Sequence, residues 1–207
     1  MNQASSPRTI GIFGGTFDPP HAAHLAVACA ALRQGGVDEV WMMVSPCNPF
    51  KSGRRMSPES DRLAMTRLAV ESLPDECRRR IKVSDFEMRL PRPSYTIATL
   101  RALSAAFPGC SFRLIIGGDN LAAFGRWKNP DEIISHYGLI VYPRPGEEAS
   151  ASDKMPPGCV ILKGVPMKAD SSTAIRHDLA NGIIPDGLPD RVARYINDKG
   201  LYNDYTD

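Results

Sequence analysis

The chain lacks most of what would tie it to a polyanion, a membrane or a disulfide scaffold. Lys and Arg number 25 against 23 Asp and Glu, a net charge of +2. Composition therefore gives no case for a nucleic-acid partner or an acidic membrane surface, while a local basic patch for a small anion stays open. No apolar run approaches a membrane span, and the N-terminal M-N-Q-A-S-S-P-R lacks the apolar core of a signal peptide. No C-x-x-C occurs. Five cysteines (Cys29, Cys47, Cys77, Cys110 and Cys159) are odd in number and widely scattered, which suits free thiols in a reducing compartment better than disulfides or zinc. Nor is there a defensible Ser-His-Asp or Cys-His arrangement for nucleophilic catalysis. These absences point to a cytoplasmic protein.

What is present is an ordinary globular composition, 43% hydrophobic and 23% charged over 207 residues, enough for one domain with a substantial core. Apolar runs alternate with helix-period segments, the pattern of a mostly parallel α/β sheet. The runs predict strands at Thr9–Phe13, Val40–Ser45, Ile81–Phe86, Phe112–Ile116, Leu139–Tyr142 and Val160–Leu162. Helical stripes follow from Leu25, Ala28 and Leu32, from Leu63, Thr66, Val70 and Leu73, and from Ile97, Leu100, Leu103 and Phe107. Asn129 is expected to cap a short helix with Pro130 at its first position. Residues 143–158, rich in Pro, Gly and Ser, read as an exposed loop, and two helical pieces ending in Gly follow. The expectation is a Rossmann-like, doubly wound α/β domain spanning 1–207. Residues 1–8 would be a disordered tail and 165–207 a helical C-terminal extension.

One stretch is unusual: G-G-T-F-D-P-P-H-A-A-H, residues 14–24, directly after the first strand. In an open parallel sheet, ligands bind beyond the carboxyl ends of the strands. Paired glycines there let the backbone turn sharply and approach a ligand. Asp18 is suited to cap the next helix, and Pro19 and Pro20 to fill its first turn. The free amides at that helix start favour a phosphate-like anion. His21 and His24, three apart, fall on one side of the first turn, placed to donate to phosphoryl oxygens. One such donor is worth about 3 to 4 kcal/mol to a transition state. A dinucleotide-binding oxidoreductase would instead show G-x-G-x-x-G and an acid at the end of the second strand, and neither is here. An H-x-x-H metal site would need a third clustered ligand.

The string resembles the G-G-T-F-D-P-x-H-x-G-H motif of the nucleotidylyltransferase superfamily and, more narrowly, of the bacterial nicotinate-nucleotide adenylyltransferases. Further segments resemble that family in order along the chain: N-P-F-K-S (48–52), P-S-Y-T-I-A-T-L (93–100), I-I-G-G-D-N-L (115–121) with Trp127-Lys128, Y-P-R-P-G (142–146) and S-S-T-A-I-R (171–176). Two positions depart from its pattern. Ala23 replaces a usual glycine, adding a methyl near the expected ATP site, and Asp170 replaces a usually apolar residue.

The resemblance implies adenylyl transfer from ATP to nicotinate mononucleotide, giving nicotinate adenine dinucleotide and pyrophosphate. Positioning and charge neutralisation do the catalysis in such chemistry, with no protein nucleophile. By the same resemblance, Gly14, Gly15, Thr16 and Phe17 shape the phosphate turn. His21 and His24 contact ATP phosphates, with His24 the transition-state stabiliser. Ser171, Ser172 and Thr173 form a second anion site, Arg176 reaches the β- and γ-phosphates, and Lys51 neutralises phosphate. Tyr95 and Thr96 receive the nicotinate carboxylate through backbone N–H groups, Trp127 stacks on the pyridine ring, and Asp119 meets ribose hydroxyls. Mg²⁺ accompanies ATP without a protein ligand cage, and the implied state is a monomer or small homo-oligomer with no nucleic-acid or membrane partner. The alternatives are a sibling enzyme using another phosphate acceptor (nicotinamide mononucleotide or phosphopantetheine) and a non-catalytic nucleotide-binding protein.

Overall fold

Six apolar runs lie side by side as one all-parallel sheet in the computed structural model, which describes residues 7–46, 56–143, 156, 158–165, 171–203 and 205. The strands are β1 (Arg8–Gly15), β2 (Glu39–Val44), β3 (Ile81–Ser84), β4 (Cys110–Gly117), β5 (Leu139–Tyr142) and β6 (Val160–Ile161), in the order β3-β2-β1-β4-β5-β6. Every neighbouring pair is parallel. The helices are α1 (Ala22–Gln34), α2 (Glu59–Glu71), α3 (Asp75–Arg78), α4 (Thr96–Ala106), α5 (Gly118–Ala122), α6 (Pro130–Glu132), α7 (Ser172–Ala180) and α8 (Asp190–Lys199). The Rossmann-like α/β expectation is met.

Strand alternation sends side chains to opposite faces and so builds two cores. On one face Phe13, Val40, Met42, Ile115 and Ile140 pack with Leu25 and Ala28 of α1, Met65 and Ala69 of α2, and Val192 and Ile196 of α8. On the other, Ile10, Ile12, Leu114, Ile116 and Leu139 pack with Ile97, Leu100 and Leu103 of α4. Each buried Ile or Leu contributes on the order of 1.5 to 3 kcal/mol. Both faces of the strands are covered, which is why they read as unbroken apolar runs.

Several boundaries differ from expectation. β1 begins at Arg8, inside the stretch expected to be a tail, and does not stop at Phe13. Gly14 and Gly15 pair with Met43 and Val44, so the glycines close the strand rather than follow it. β3 ends at Ser84, because the Ser84 hydroxyl accepts from the Phe86 N–H at 3.2 Å and the chain turns into a 3-10 segment, Phe86–Arg89. Leu73 lies past the end of α2, and Phe107 terminates α4 at 37% exposure with its ring edge-on to Trp41. Asn129 precedes Pro130 in left-handed backbone (φ 54°), and its side chain reaches Glu132 rather than capping a backbone N–H. Most of the loop at 143–158 lies outside the described residues, as do Lys51 and Asp170.

The strand order places β1 beside β4, and the chain leaves these two strands in opposite directions across the sheet. The crevice of a doubly wound sheet opens at that switch point. Gly14–Gly15 and Gly117–Gly118 are the backbone on its two sides.

Candidate active site

Past β1 the chain must turn within a few residues to enter α1. Phe17 makes the turn in left-handed backbone (φ 47°) and is held there by packing. Its buried ring stands edge-on to Phe13 at 5.6 Å and to His24 at 5.0 Å between centroids. A Cβ at Gly15 would lie 2.9 Å from that ring, so glycine is required by the protein's own packing. At exposed Gly14, a Cβ would meet no described atom within 4 Å, and Gly14 lies just past the last β1–β4 pair, Phe13 with Ile115.

Asp18 does not cap α1. It lies before a cis bond to Pro19, and the helix starts only at Ala22, so both prolines precede its first turn. The buried Asp18 carboxylate instead accepts from the Tyr202 hydroxyl at 2.6 Å and from the Ser57 N–H at 3.3 Å. Burial and the adjacent carboxylate push the Tyr202 phenol well above its ordinary range, so it remains a donor.

The cap of α1 is His21, and the pair forms a reciprocal capping box with His24. The His21 N–H donates to His24 Nδ1 at 3.3 Å, and the rings sit 3.9 Å apart. An Nδ1 that accepts leaves the ring proton on Nε2, so neutral His24 offers an Nε2–H donor. His21 is buried, His24 is half-buried, and the Ala23 methyl between them is buried in α1.

The S-S-T-A-I-R segment arrives at the same place. Ser171 caps α7, its hydroxyl accepting from the Ala174 N–H at 3.1 Å. The Ser172 hydroxyl donates to the Pro19 carbonyl at 3.2 Å, and Arg176 Nη1 donates to the Asp18 carbonyl at 2.6 Å. Arg176 Nη2 donates to Thr173 Oγ1 at 3.1 Å and to the Tyr205 hydroxyl at 2.9 Å. The start of α7 is therefore fastened to the turn carrying His21 and His24.

Two residues that sequence reasoning passed over organise the surroundings. Arg62 of α2 is 1% exposed, and its guanidinium donates to the carbonyls of Thr16 (2.9 Å), Ser45 (2.7 Å), Pro46 (3.2 Å) and Ser57 (3.0 Å). It ties the end of β1 to the end of β2 and to the start of α2. The signal was present, since Arg62 falls in the stripe with Met65, Thr66 and Ala69, and a charge on an apolar face needs buried partners. Glu87 accepts from Ser45 (2.6 Å), Ser94 (3.1 Å) and Thr99 (3.1 Å), which anchors the entry to α4.

The remaining expected residues gather on the β4 side. Tyr95 and Thr96 open α4, whose cap has no side-chain hydrogen bond, and Tyr95 is 42% exposed. Lys128 Nζ sits 4.6 Å over the Tyr95 ring, and Trp127 packs against Phe124 at 5.3 Å. Asp119, in the first turn of α5, accepts from the Asn120 N–H at 3.0 Å and folds against Gly117, where a Cβ would crowd both it and the Tyr142 ring. Tyr142 in turn packs edge-on to Phe13 at 5.8 Å, linking this group to the β1 turn.

The family model described as cytidylyltransferase-like matches residues 12–178. A protein of Bacteroides fragilis named as a probable nicotinate-nucleotide adenylyltransferase is 46% identical over 172 residues, 83% of this chain and 82% of that one. The nicotinate-nucleotide adenylyltransferase of Bacillus subtilis is 35% identical over 196 residues, 94% of this chain and 98% of that one. Among solved structures, Plasmodium falciparum nicotinic acid mononucleotide adenylyltransferase complexed with NaAD superposes with a TM-score of 0.79 at 19% identity, covering 95% of this chain and 98% of that one. At that identity the likeness speaks for the fold.

Proposed function

Because the chain belongs to the cytidylyltransferase-like family and, within it, to the nicotinate-nucleotide adenylyltransferases, we propose that it makes nicotinate adenine dinucleotide and pyrophosphate from ATP and nicotinate mononucleotide, a step of NAD biosynthesis. A phosphate oxygen of the mononucleotide attacks the α-phosphorus of ATP, and the bond to the pyrophosphate oxygen breaks in line. Both partners are anions, so the protein's task is to hold them together and neutralise charge as it moves onto the leaving group.

The observation that carries this is the meeting of two anion cradles. Arg176 and Ser172 of α7 bond to Asp18 and Pro19, next to His21 and His24. In this arrangement Gly14, Gly15, Thr16 and Phe17 form the wall against the triphosphate. His24 donates Nε2–H to a phosphoryl oxygen as charge grows there, with His21 setting its tautomer and adding a second imidazole. Ser171, Ser172, Thr173 and Arg176 take the distal phosphates. Lys51, outside the described residues, adds positive charge from the loop after β2. Trp127 stacks on the pyridine ring, the first amides of α4 at Tyr95 and Thr96 receive the nicotinate carboxylate, and Asp119 accepts from ribose hydroxyls.

A nucleotidyltransferase of this kind works with a divalent ion, and Mg²⁺ is the ion proposed. Imidazole, amide and guanidinium donors suit phosphate oxygens, leaving oxygen ligands of ATP and water for the metal. Among the described residues, no group of three or more His, Cys, Asp or Glu side chains is placed to hold a metal, and no helix is long and apolar enough to cross a membrane. The cytoplasm is the proposed location, with a monomer or small homo-oligomer as the working unit.

The test is direct. Purified protein with ATP, Mg²⁺ and nicotinate mononucleotide should release pyrophosphate and form the dinucleotide in equal amounts. A folded protein that turns over only another acceptor, such as phosphopantetheine, would overturn the proposed substrate; one that binds ATP and turns over nothing would overturn the activity.

A further inference from the structure

Arg176 is 7% exposed, and most of its hydrogen-bonding capacity is already engaged by the protein. Nη1 holds the Asp18 carbonyl, while Nη2 divides its two hydrogens between Thr173 and Tyr205. Among the described residues Nε is buried with no acceptor against it. Recognition of a phosphate by arginine uses two parallel N–H donors along one edge of the guanidinium. One candidate edge, Nε with Nη2, has its first donor enclosed and its second occupied. The orphaned Nε marks an edge built for a ligand, and Tyr205 is the group bonded beside it.

Tyr205 differs from the other partners of Arg176. Asp18 and Thr173 belong to the turn and helix that make the cradle, whereas Tyr205 comes from beyond α8. Its hydroxyl accepts from Nη2, and its ring lies 4.7 Å from the guanidinium carbon. Three residues earlier, Tyr202 is anchored by its 2.6 Å hydrogen bond to the Asp18 carboxylate. A cavity of about 160 Å³, lined by Met56, Ser57, Tyr202 and Tyr205 among others, borders the ring and gives it room to withdraw.

We propose that Tyr205 is a latch on Arg176: it covers the phosphate-binding edge of the guanidinium in the ATP-free protein, and the triphosphate displaces it while Tyr202 stays anchored. The inference rests on the reading of Arg176 as a ligand of the ATP phosphates. A phosphate oxygen carries charge where the phenol carries none, so it outcompetes Tyr205 for the guanidinium. The latch lowers apparent ATP affinity by the fraction of molecules in which Arg176 is uncovered. A hydrogen bond to a charged group together with a cation–π contact corresponds to roughly thirtyfold or more in that affinity.

Calorimetric titration with MgATP, without acceptor, tests this. Tyr205→Ala should bind ATP more tightly than the unaltered chain, by about thirtyfold or more, with the KM for nicotinate mononucleotide unchanged. Tyr205→Phe keeps the ring but loses the hydroxyl and should fall between. Unchanged or weaker ATP binding in Tyr205→Ala overturns the latch. Arg176→Met, checked for folding by thermal melting, separates the two levels of the argument. If it binds ATP as well as the unaltered chain, the reading of Arg176 falls and the latch with it. If it binds ATP poorly while Tyr205→Ala shows no gain, the latch alone falls. In the double variant the gain from Tyr205→Ala should vanish, and its persistence would also overturn the latch.

Discussion

Arg176 Nη1 and the Asp18 carbonyl oxygen are 2.6 Å apart, although 158 positions separate the two residues in the chain. With Ser172 on the Pro19 carbonyl, this contact joins the β1–α1 turn to the start of α7, the two halves of the proposed phosphate site. On that proposal both halves are needed, since a triphosphate spans more than one helix terminus can neutralise.

His24 offers its Nε2–H because its Nδ1 is engaged by the His21 N–H. Replacing it with alanine should lower kcat by roughly a hundredfold or more while leaving ATP binding nearly intact, as for loss of one transition-state donor. Steady-state pyrophosphate release, with ATP affinity measured separately, checks this. Near-normal turnover would remove His24 from the mechanism.

Trp127 is half-buried against Phe124, with part of its surface available for stacking. Trp127→Ala should raise the KM for nicotinate mononucleotide by roughly tenfold or more, with the KM for ATP unaltered. An equal rise in both constants would mean that the indole supports the fold rather than the acceptor.

The Arg62 guanidinium serves four carbonyls at the junction of β1, β2 and α2. Arg62→Met should cost about 3 kcal/mol or more, because buried acceptors lose their donors. Arg62→Lys should recover only part of this, since an ammonium has three donors and no fixed fork. Urea unfolding followed by circular dichroism measures both; a loss below about 1 kcal/mol would show that water replaces the guanidinium readily.

Stability should fall on the alkaline side. Burial, then the hydrogen bond shared with the Cys77 thiol, pushes Cys29 from 9.0 up to about 12. Tyr202 is likewise raised, first by burial and then by Asp18. From about pH 9 upward the unfolded chain releases protons that the folded chain keeps, so the folded state loses stability as pH rises towards 12. The slope for one such group is at most about 1.4 kcal/mol per pH unit. Urea midpoints between pH 7 and pH 10.5 should decline, and less steeply for Cys29→Ala; identical slopes would remove Cys29 as a cause.

All six strands were legible because a strand covered on both faces needs an unbroken apolar run, and the described segments outside the sheet carry few such runs. The residues of the two proposed cradles were singled out by resemblance to the family's G-G-T-F-D-P-x-H-x-G-H and S-S-T-x-I-R strings, and Ser171 does cap α7. What failed was non-local. Asp18 looked like a helix cap from its neighbours, yet its carboxylate is claimed by Tyr202, 184 positions away. Phe13 looked like the end of β1, because glycines signal turns, yet β2 supplies partners for two more residues. Arg62 could have been found as a charge within an apolar stripe, but its four carbonyl partners are backbone and leave no trace in residue identity. Tyr205 carried no local signal.

The contact between Ser172 and Pro19 has a consequence for how the protein is made. β1 and the turn after it leave the ribosome first, but their partner Ser172 on α7 emerges 153 positions later, which at about 5 to 20 residues per second is a delay of roughly 8 to 30 seconds. On the proposed role of Arg176, a nascent chain, or one cut short before α7, lacks the guanidinium that grips the outer phosphates. Nucleotide capture then waits for synthesis through α7.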